Sequence, residues 1–319
     1  MKNKKLINTL ALILGVLVVV YLATIVFGGK NERNFKSELI NVDTSAVSQI
    51  LLYPETYNHK EVKIYKDGNA WKVKISETKS VSVPKDKIKG LLQKLTELKI
   101  ERLVARTPKR WSAFKVDTLG TRVKVYEGSN LSADFVVGKF EMQGRRNFIT
   151  YVRNSDEDEV YSVNGFISTA FNRKPDSFRN NYVFRGNKAD WNKLEFVYPA
   201  DSSFTMVKDS SNHWFANGTQ LDSADVEKYL TSISHLYGTT FVNEFPNDFP
   251  KTPTMTLKIY GKNGMAEITC YVKGDKSIIT STYNSENYFD GTKAKLQGKI
   301  FKGKSYFLKD AKKHKGKGK

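Results

Sequence analysis

The sequence predicts an α+β protein in which an N-terminal transmembrane helix precedes two tandem repeats of antiparallel sheet with a packed helix. Three observations predict this fold class: a long apolar run near the N-terminus, a series of strand, turn and helix patterns that occurs twice, and short turns typical of hairpins. Hairpins join antiparallel strands, whereas parallel strands need long crossover connections. We therefore expect both sheets to be antiparallel.

The apolar run covers residues 6–27 and contains no charged side chain. At a helical rise of ~1.5 Å per residue it would reach roughly 33 Å, which is enough to cross the hydrocarbon core of a bilayer. Three lysines lie within residues 1–5, so the positive-inside rule predicts a cytoplasmic N-terminus and an extracytoplasmic body. A cleaved signal peptide would have a shorter apolar stretch followed by a small-residue cleavage site. The pattern favours a retained anchor.

The composition indicates packed domains after the anchor. Hydrophobic residues make up 39% of the chain and aromatic residues 12%, which is enough for sizeable cores. Cys270 is the only cysteine, which excludes an internal disulfide and a zinc site built from several cysteines. Because Cys270 lies in an alternating, strand-like stretch, we interpret it as a small core residue.

The chain divides into six predicted segments. They are a cytoplasmic N-terminus (1–5), a transmembrane helix (6–27), a spacer (28–43), a first α+β repeat (44–186), a second α+β repeat (187–308) and a Lys/Gly-rich tail (309–319). The formal net charge is +19, and part of it comes from the tail. A run of this kind is normally solvated, and we favour that interpretation over binding to lipid head groups or an acidic surface.

The two repeats are recognised by the order of their parts. The matching stretches, first repeat before second, are 47–54 and 191–199, 62–67 and 204–209, Trp71 and Trp214, 88–98 and 226–236, 123–126 and 257–260, and 135–139 and 270–274. No single match is specific, but the repetition of the whole order indicates a duplicated fold. We interpret Trp71 and Trp214 as core residues beneath their helices.

One amphipathic helix is predicted in each repeat. Apolar residues recur at i, i+3, i+4 and i+7 within 88–98 and again within 226–236. Pro84 precedes the first stripe, and either Asp222 or Ser223 can cap the second helix. Each helix is expected to bury its apolar stripe against the sheet of its own repeat.

The sequence contains no recognisable catalytic or metal-binding motif. Its four histidines are scattered, and it has no nucleophile elbow, phosphate loop or dinucleotide fingerprint. The acidic run at residues 156–159 lacks the ligand spacing of a calcium site, which favours a solvated turn. We expect no enzyme activity, no cofactor, no nucleic-acid partner and no small-molecule substrate. Carboxylates paired only in space would escape detection.

A basic face is the one candidate binding feature. Five arginines gather around the end of the first repeat: Arg145, Arg146, Arg153, Arg179 and Arg185. These residues would suit an acidic partner if they shared an exposed surface. Scattered solvated charge is the alternative, and we favour it.

Several short motifs, taken in order, resemble a known family. They are the Tyr-Pro strand end, Trp71, the leucine-rich helix, Leu119–Val123, Gly138-Lys139, Tyr151–Arg153, Val160-Tyr161 and Phe178–Asn180. Together with the anchor they resemble the bacterial envelope family known as domain of unknown function 4340, over nearly all of residues 44–308. The resemblance implies a single-pass protein of the bacterial cytoplasmic (inner) membrane, commonly associated with ABC-type export or gliding-type transporter components. It implies no reaction and no catalytic residues.

The function expected from the sequence is therefore that of a membrane-anchored, non-enzymatic accessory protein. Residues 6–27 would contact lipid, and the extracytoplasmic repeats would contact proteins of a membrane complex. Two alternatives remain at this point: a module that binds an acidic glycan or the cell wall, and an enzyme whose site is assembled from distant residues.

Overall fold

The computed structural model describes residues 12–20, 36–144, 147–293 and 295–308. Residues 12–20 form helix α1, and their side chains are exposed. The rest of the predicted span 6–27 lies outside the described residues, as do residues 1–5 and the tail 309–319. No helix within the described ranges has both the length and the apolar character needed to cross a membrane.

The first repeat consists mainly of strands. Its elements are β1 (Val47–Tyr53), β2 (Val62–Asp67), β3 (Ala70–Lys74), β4 (Ser80–Ser82), α2 (Lys85–Thr96), β5 (Ile100–Ala105), α3 (Trp111–Phe114), β6 (Thr121–Glu127), β7 (Asn130–Gln143), β8 (Asn147–Asn154), β9 (Val160–Asn164) and α4 (Ser168–Phe171). The hairpin turn predicted at Asp67-Gly68 joins β2 to β3.

The second repeat has a closely similar series. Its elements are β10 (Tyr182–Arg185), β11 (Trp191–Val197), β12 (Phe204–Lys208), β13 (Trp214–Ala216), β14 (Thr219–Gln220), α5 (Ser223–Ser234), β15 (His235–Tyr237), β16 (Phe241–Val242), β17 (Met255–Gly261), β18 (Gly264–Lys273), β19 (Lys276–Ser281), β20 (Tyr288–Asp290) and α6 (Leu296–Ile300). The predicted turn between 261 and 264 joins β17 to β18.

Both repeats build a nine-stranded sheet with the same strand order. The first sheet runs β4-β3-β2-β1-β6-β7-β8-β9-β5, and the second runs β14-β13-β12-β11-β17-β18-β19-β20-β16. Replacing each strand of the first sheet by its counterpart in the second reproduces the whole order. The neighbouring strands pair antiparallel, so the predicted α+β class with antiparallel sheets is confirmed.

The two sheets also share an irregularity in their first strands. A register shift lies between Val47 and Gln49 where β1 meets β6, and another lies between Trp191 and Lys193 where β11 meets β17. A β-bulge adds a residue to one strand and bends it locally. Because the two bulges occupy equivalent positions in the two sheets, the repeats share this detail of strand register as well.

The strand registers correct one of the predicted matches between repeats. Phe135 pairs with Val123, whereas Ile268 pairs with Leu257, the counterpart of Val123. The counterpart of Phe135 is therefore Ile268 and not Cys270. Side chains alternate with a period of two, so this error of two residues keeps every side chain on its predicted face.

The two helices cover the inner faces of their sheets, as predicted. Helix α2 begins directly after Pro84 and buries one apolar stripe in the first core. Helix α5 begins after Asp222, whose Oδ1 accepts hydrogen bonds from the backbone N–H groups of Ala224 and Asp225 at 2.9 and 3.1 Å. Of the two residues proposed as caps, Asp222 therefore fills the role.

The two predicted core tryptophans differ in burial. Trp214 is 7% exposed and belongs to the second core, whereas Trp71 is half-buried and packs at the margin of the first. Cys270 is fully buried on β18, as predicted for a core residue.

Both boundaries of the first repeat differ from the prediction. Leu39, which was assigned to the spacer 28–43, is 3% exposed and belongs to the first core. Strand β10, which was assigned to the first repeat, pairs with β15 and contributes Phe184 to the second core. An equivalent contact occurs in the first repeat, where Glu38 bridges to Lys99 just after α2. In both repeats a segment preceding the first strand therefore pairs with the chain just after the helix.

Candidate functional site

The outer face of the first sheet, opposite α2, is partly covered by the connection between β5 and β6. Trp111 and Phe114 of α3, with Val116, pack on Ile149 and Tyr151 of β8 in a small separate cluster. This cover packs on strands β7, β8 and β9 of the sheet. The cover is a second buried layer on this sheet, and its packing holds the side chains at the edge of the cover in place.

Two glycines allow the cover to approach the sheet. A Cβ atom on Gly138 would lie 2.2 Å from the carbonyl oxygen of Phe114, and one on Gly120 would lie 2.4 Å from that of Lys115. Real Cβ atoms do not come so close to a carbonyl oxygen, so both positions require glycine while this packing is kept. These residues belong to two of the motifs that carry the family resemblance.

A groove with a volume of about 560 Å³ lies at the edge of this cover. The side chains that give it chemical character are Tyr53, Trp111, Asp117, Arg122, Lys124 and Arg153. A second hollow of about 580 Å³ adjoins it and shares Arg122 and Ser155 with it. We refer to the first of these two spaces as the arginine groove.

Arg153 is the most constrained residue of the arginine groove. It is 6% exposed, and its guanidinium carbon lies 3.7 Å from the centre of the Trp111 ring. Its Nε donates to the carbonyl oxygen of Val116 at 3.1 Å, and its Nη1 donates to those of Asn154, Ser155 and Glu157 at 2.9, 3.2 and 3.0 Å. The side chain therefore ties the cover to the loop that follows β8.

The charge of Arg153 is not matched by a contacting carboxylate. Among the described residues, none of the ion pairs includes Arg153. Burial lowers the pKa of its guanidinium from the usual value, but an arginine remains charged at any physiological pH. Carbonyl dipoles thus solvate this cation directly, and the carboxylates of Asp158, Asp134 and Asp117 act on it from a distance.

Arg122 and Asp134 form a two-point ion pair next to Arg153. The Nε and Nη2 atoms of Arg122 donate to the two carboxylate oxygens of Asp134 at 2.8 and 2.6 Å. Ser155 also donates its hydroxyl to Asp134, at 2.6 Å. Burial would raise the pKa of Asp134, but the hydrogen bonds from Arg122 and Ser155 outweigh it and lower that pKa below its usual value.

The second repeat lacks this cationic row. Arg122, Val136 and Arg153 are consecutive cross-strand partners on β6, β7 and β8. The counterparts on β17, β18 and β19 are Thr256, Thr269 and Thr280. The hydroxyl oxygens of Thr269 and Thr280 lie 2.5 Å apart, so these positions are filled by a small neutral cluster.

The predicted basic face does not form as a unit. Arg145 and Arg146 lie outside the described residues. Arg153 and Arg179 are 6% and 0% exposed, so neither belongs to an exposed basic face. Arg185 is exposed, with its guanidinium carbon 5.3 Å from the centre of the Tyr182 ring. Sequence spacing does not reveal which arginines are enclosed by carbonyl or amide oxygens, as Arg153 and Arg179 are.

Arg179 instead joins the two repeats. Its Nε donates to Oδ1 of Asn287 at 2.8 Å, and its Nη1 donates to Oδ1 of Asn243 at 2.8 Å and of Asp176 at 3.1 Å. The guanidinium carbon lies 3.9 Å from the centre of the Phe241 ring. Its Nη2 is buried and has no hydrogen-bond partner within the described part of the chain.

Lys87 of α2 completes this junction from the first repeat. Its Nζ donates to the carbonyl oxygens of Ser177 and Arg179 at 2.9 and 2.6 Å, and to Oδ1 of Asn181 at 2.6 Å. A second bridge links Ser82 to Glu286, through its backbone N–H at 2.8 Å and its hydroxyl at 3.0 Å. The segment 176–181 is thus held by both repeats.

Sequence reasoning missed most residues of the arginine groove. Trp111, Arg122 and Lys124 were not proposed as site residues, although Arg122 lies in one of the family motifs. A signal was present: Arg122 and Lys124 alternate with the apolar residues Val123 and Val125 on a predicted strand and so face away from the core. The strand registers were needed to bring Arg153 beside them.

The comparisons with known proteins identify a family and no function. Neither the curated proteins nor the solved structures gave a match to this chain. A family model described as domain of unknown function (DUF4340) matches residues 71–258, more than half of the 319 residues and including Trp111 and Arg153. The chain therefore belongs to the DUF4340 family.

Proposed function

We propose that this protein is a membrane-anchored, non-enzymatic accessory protein whose two repeats lie outside the cytoplasm. One observation carries the proposal: α1 exposes large apolar side chains on every side, with Leu12 69% and Val19 66% exposed. Apolar surface costs about 25 cal/mol for each Å² left in water, so a helix of this kind needs a cover. A bilayer around residues 6–27 would supply it, with the lysines of residues 1–5 at the cytoplasmic side.

The chemistry of the body supports a contact role over catalysis. Cys270 is the only thiol, and burial raises its pKa to about 12, which keeps it protonated and unreactive at neutral pH. His59 lies 3.3 Å from the carbonyl oxygen of Tyr53 through Nδ1, and the Arg122 and Ser155 side chains are committed to Asp134. These groups hold structure in place.

The junction supports a scaffold with two surfaces in fixed relation. Arg179 bonds to Asn287 and Ser82 bonds to Glu286, both in the second repeat. Lys87 of the first repeat bonds to Asn181 in the segment between the repeats. A body of this kind can hold two partner domains at a set distance. Following the family resemblance, we propose an ABC-type transporter or a gliding-type envelope complex as the partner.

The anchor is tested in cells with the full chain. Protease added to intact spheroplasts should digest the body, and Leu17→Arg should release the protein from membranes, because a charge at the centre of a span costs about 2.5–3.5 kcal/mol. Leu17→Ile is the matched control and should stay in the membrane. Photo-crosslinking of the anchored protein should then recover transporter subunits. A body that resists protease until the cells are broken contradicts the topology.

A second candidate function is binding of an acidic envelope polymer. It is favoured by the buried charge of Arg153, which forms no ion pair within the described residues, at the edge of a groove. The full chain in detergent should then sediment with cell-wall material in a salt-sensitive way. Sedimentation that is absent, or indifferent to salt, would count against it.

A further inference from the structure

We propose that the arginine groove binds an anionic saccharide chain, with a carboxylate or phosphate group of the ligand beside Arg122, Lys124 and Arg153. The inference rests on the second candidate function and names its site and ligand class. It is independent of how the protein is anchored.

The first step is the charge of Arg153, with which no carboxylate within the described residues forms an ion pair. Four carbonyl oxygens and the Trp111 ring hold its guanidinium, and its hydrogen bonds leave from Nε and Nη1. A buried cation is normally balanced by a carboxylate, because carbonyl dipoles alone leave the net charge in place. An anion in the groove would supply that balance without displacing any existing hydrogen bond.

The second step is the balance of charge around the groove. The arginine groove itself is lined by Arg122, Lys124 and Arg153 against one carboxylate, that of Asp117. The adjoining hollow carries the carboxylates of Asp134 and Asp156. Asp134 is engaged with Arg122 and Ser155. Lys124 takes part in none of the ion pairs found among the described residues. The positive charge is therefore concentrated in the arginine groove, which favours an acidic group of the ligand at that place.

The third step is the shape of the space, which favours a chain over a small anion. The arginine groove and the adjoining hollow measure about 560 and 580 Å³ and share Arg122 and Ser155, so a ligand can continue from one into the other. Tyr53 provides an aromatic wall, and Thr118 a hydroxyl group, at the first of these spaces. Aromatic rings with nearby polar groups suit the mixed apolar and polar faces of a sugar.

The fourth step is the contrast with the second repeat. There the row of Arg122, Val136 and Arg153 is replaced by three threonines. Lys258 is the counterpart of Lys124, because Lys124 pairs with Asp134 and Lys258 pairs with Glu267 at the same place in each sheet. Both lysines are half-buried. The inference therefore predicts one ligand chain for each protein chain, bound by the first repeat.

The experiment is a calorimetric titration of the full chain in detergent micelles. The probes are an oligogalacturonate, a poly(glycerol phosphate) of similar length and a neutral malto-oligosaccharide. We expect at least one anionic probe to bind with a stoichiometry near one and the neutral probe not to bind. The two anionic arms distinguish a carboxylate-bearing from a phosphate-bearing ligand.

Two matched variants locate the site. Lys124→Glu should weaken binding of the anionic probe by about tenfold or more, whereas Lys258→Glu should change it by less than about twofold. Lys124→Glu places a carboxylate opposite Asp134 on one neighbouring strand, and Lys258→Glu places one between Glu195 and Glu267 on two. The control therefore carries at least as great a risk to folding, which a melting curve checks. Lys124→Ala is a milder second variant and should weaken binding by several-fold.

The possible failures are distinguishable. If Lys124→Glu and Lys258→Glu weaken binding equally, the polymer-binding function stands and the arginine groove is not its site. If the neutral probe binds as well as the charged ones, the ligand class is wrong. If cell-wall sedimentation and both anionic titrations are negative, the site and the second candidate function fail together.

Discussion

The two repeats have the same strand order and the same bulge in their first strands, yet their outer faces carry different chemistry. At one row of three positions the first repeat has Arg122, Val136 and Arg153 and the second has three threonines. The inner faces keep only their apolar character, because many apolar side chains fill a core equally well. The duplicated part of the molecule is therefore its scaffold. A binding role that belongs to one repeat is expected where the two repeats differ.

The largest effect we expect compares the two tryptophans. Trp214→Ala should lower the free energy of unfolding by about 3–5 kcal/mol, because its ring is 7% exposed in the second core. Trp71→Ala should cost clearly less, since Trp71 is only half-buried. Chemical denaturation of both variants measures the difference. Equal losses would mean that the two repeats depend on their tryptophans alike.

The next prediction concerns the junction between the repeats. Arg179→Met keeps contact with Phe241 but leaves the amide oxygens of Asn243 and Asn287 without their donor. Asn287 is buried, so the loss of its partner should cost about 1–3 kcal/mol, whereas Asn243 is exposed and can bond to water. The repeats should then unfold in two separate transitions. Arg185→Met is the matched control, because Arg185 is exposed, and it should change stability by less than about 0.5 kcal/mol. A single unchanged transition in both variants would argue against a junction built on Arg179.

A smaller effect separates the two long helices. Asp222→Ala removes both side-chain hydrogen bonds at the start of α5 and should cost about 1 kcal/mol. Helix α2 starts at Pro84 with no side-chain cap, so Pro84→Ala should not lose a capping hydrogen bond. Thermal melting of the two variants compares them. A loss for Pro84→Ala as large as that for Asp222→Ala would show that backbone stiffness at Pro84 matters as much as capping.

The smallest effect is the pH dependence that one carboxylate of the first repeat, that of Asp134, contributes. The pKa of Asp134 is held below its usual value by Arg122 and Ser155, against the opposing effect of burial. The stability that this pair contributes is therefore present above the usual aspartate pKa and is lost as the pH falls below about 4, through the lowered pKa. Arg122→Thr, which installs the residue of the second repeat, should flatten this loss. Melting temperatures measured from pH 6 down to the acid limit test it, and an unchanged acid profile would contradict it.

The sequence predicted those parts of the fold that depend on local periodicity. The apolar spacing of α2 and α5, the hairpin turns and the order of the elements along the chain all follow from residues that are near one another in sequence. The positions of β5 and β16 were not predictable in this way, because each lies at the far edge of its sheet, beside a strand much later in sequence. The same applies to the cover formed by α3, which packs through contacts that are distant in sequence.

The candidate site was less predictable than the fold. Arginine is usually exposed, so Arg153 and Arg179 were expected on a surface, and only the three-dimensional contacts reveal the carbonyl and amide oxygens around them. The arginine groove depends on cross-strand neighbours from β6, β7 and β8. Such neighbours become visible once the strand registers are known.

The strand order has a consequence for how each repeat is made. Strand β5 is synthesised before β6 but can join its sheet only after β9 has been synthesised. Its backbone N–H and C=O groups therefore stay unpaired while most of the repeat is made. Pairing between strands that are distant in sequence slows folding. Because both repeats have such a strand and the same topology, the strand of one repeat can pair wrongly with the sheet of the other. These two strands differ in length: β5 has six residues (Ile100–Ala105) and β16 has two (Phe241–Val242). The difference in length disfavours pairing of either strand with the sheet of the other repeat.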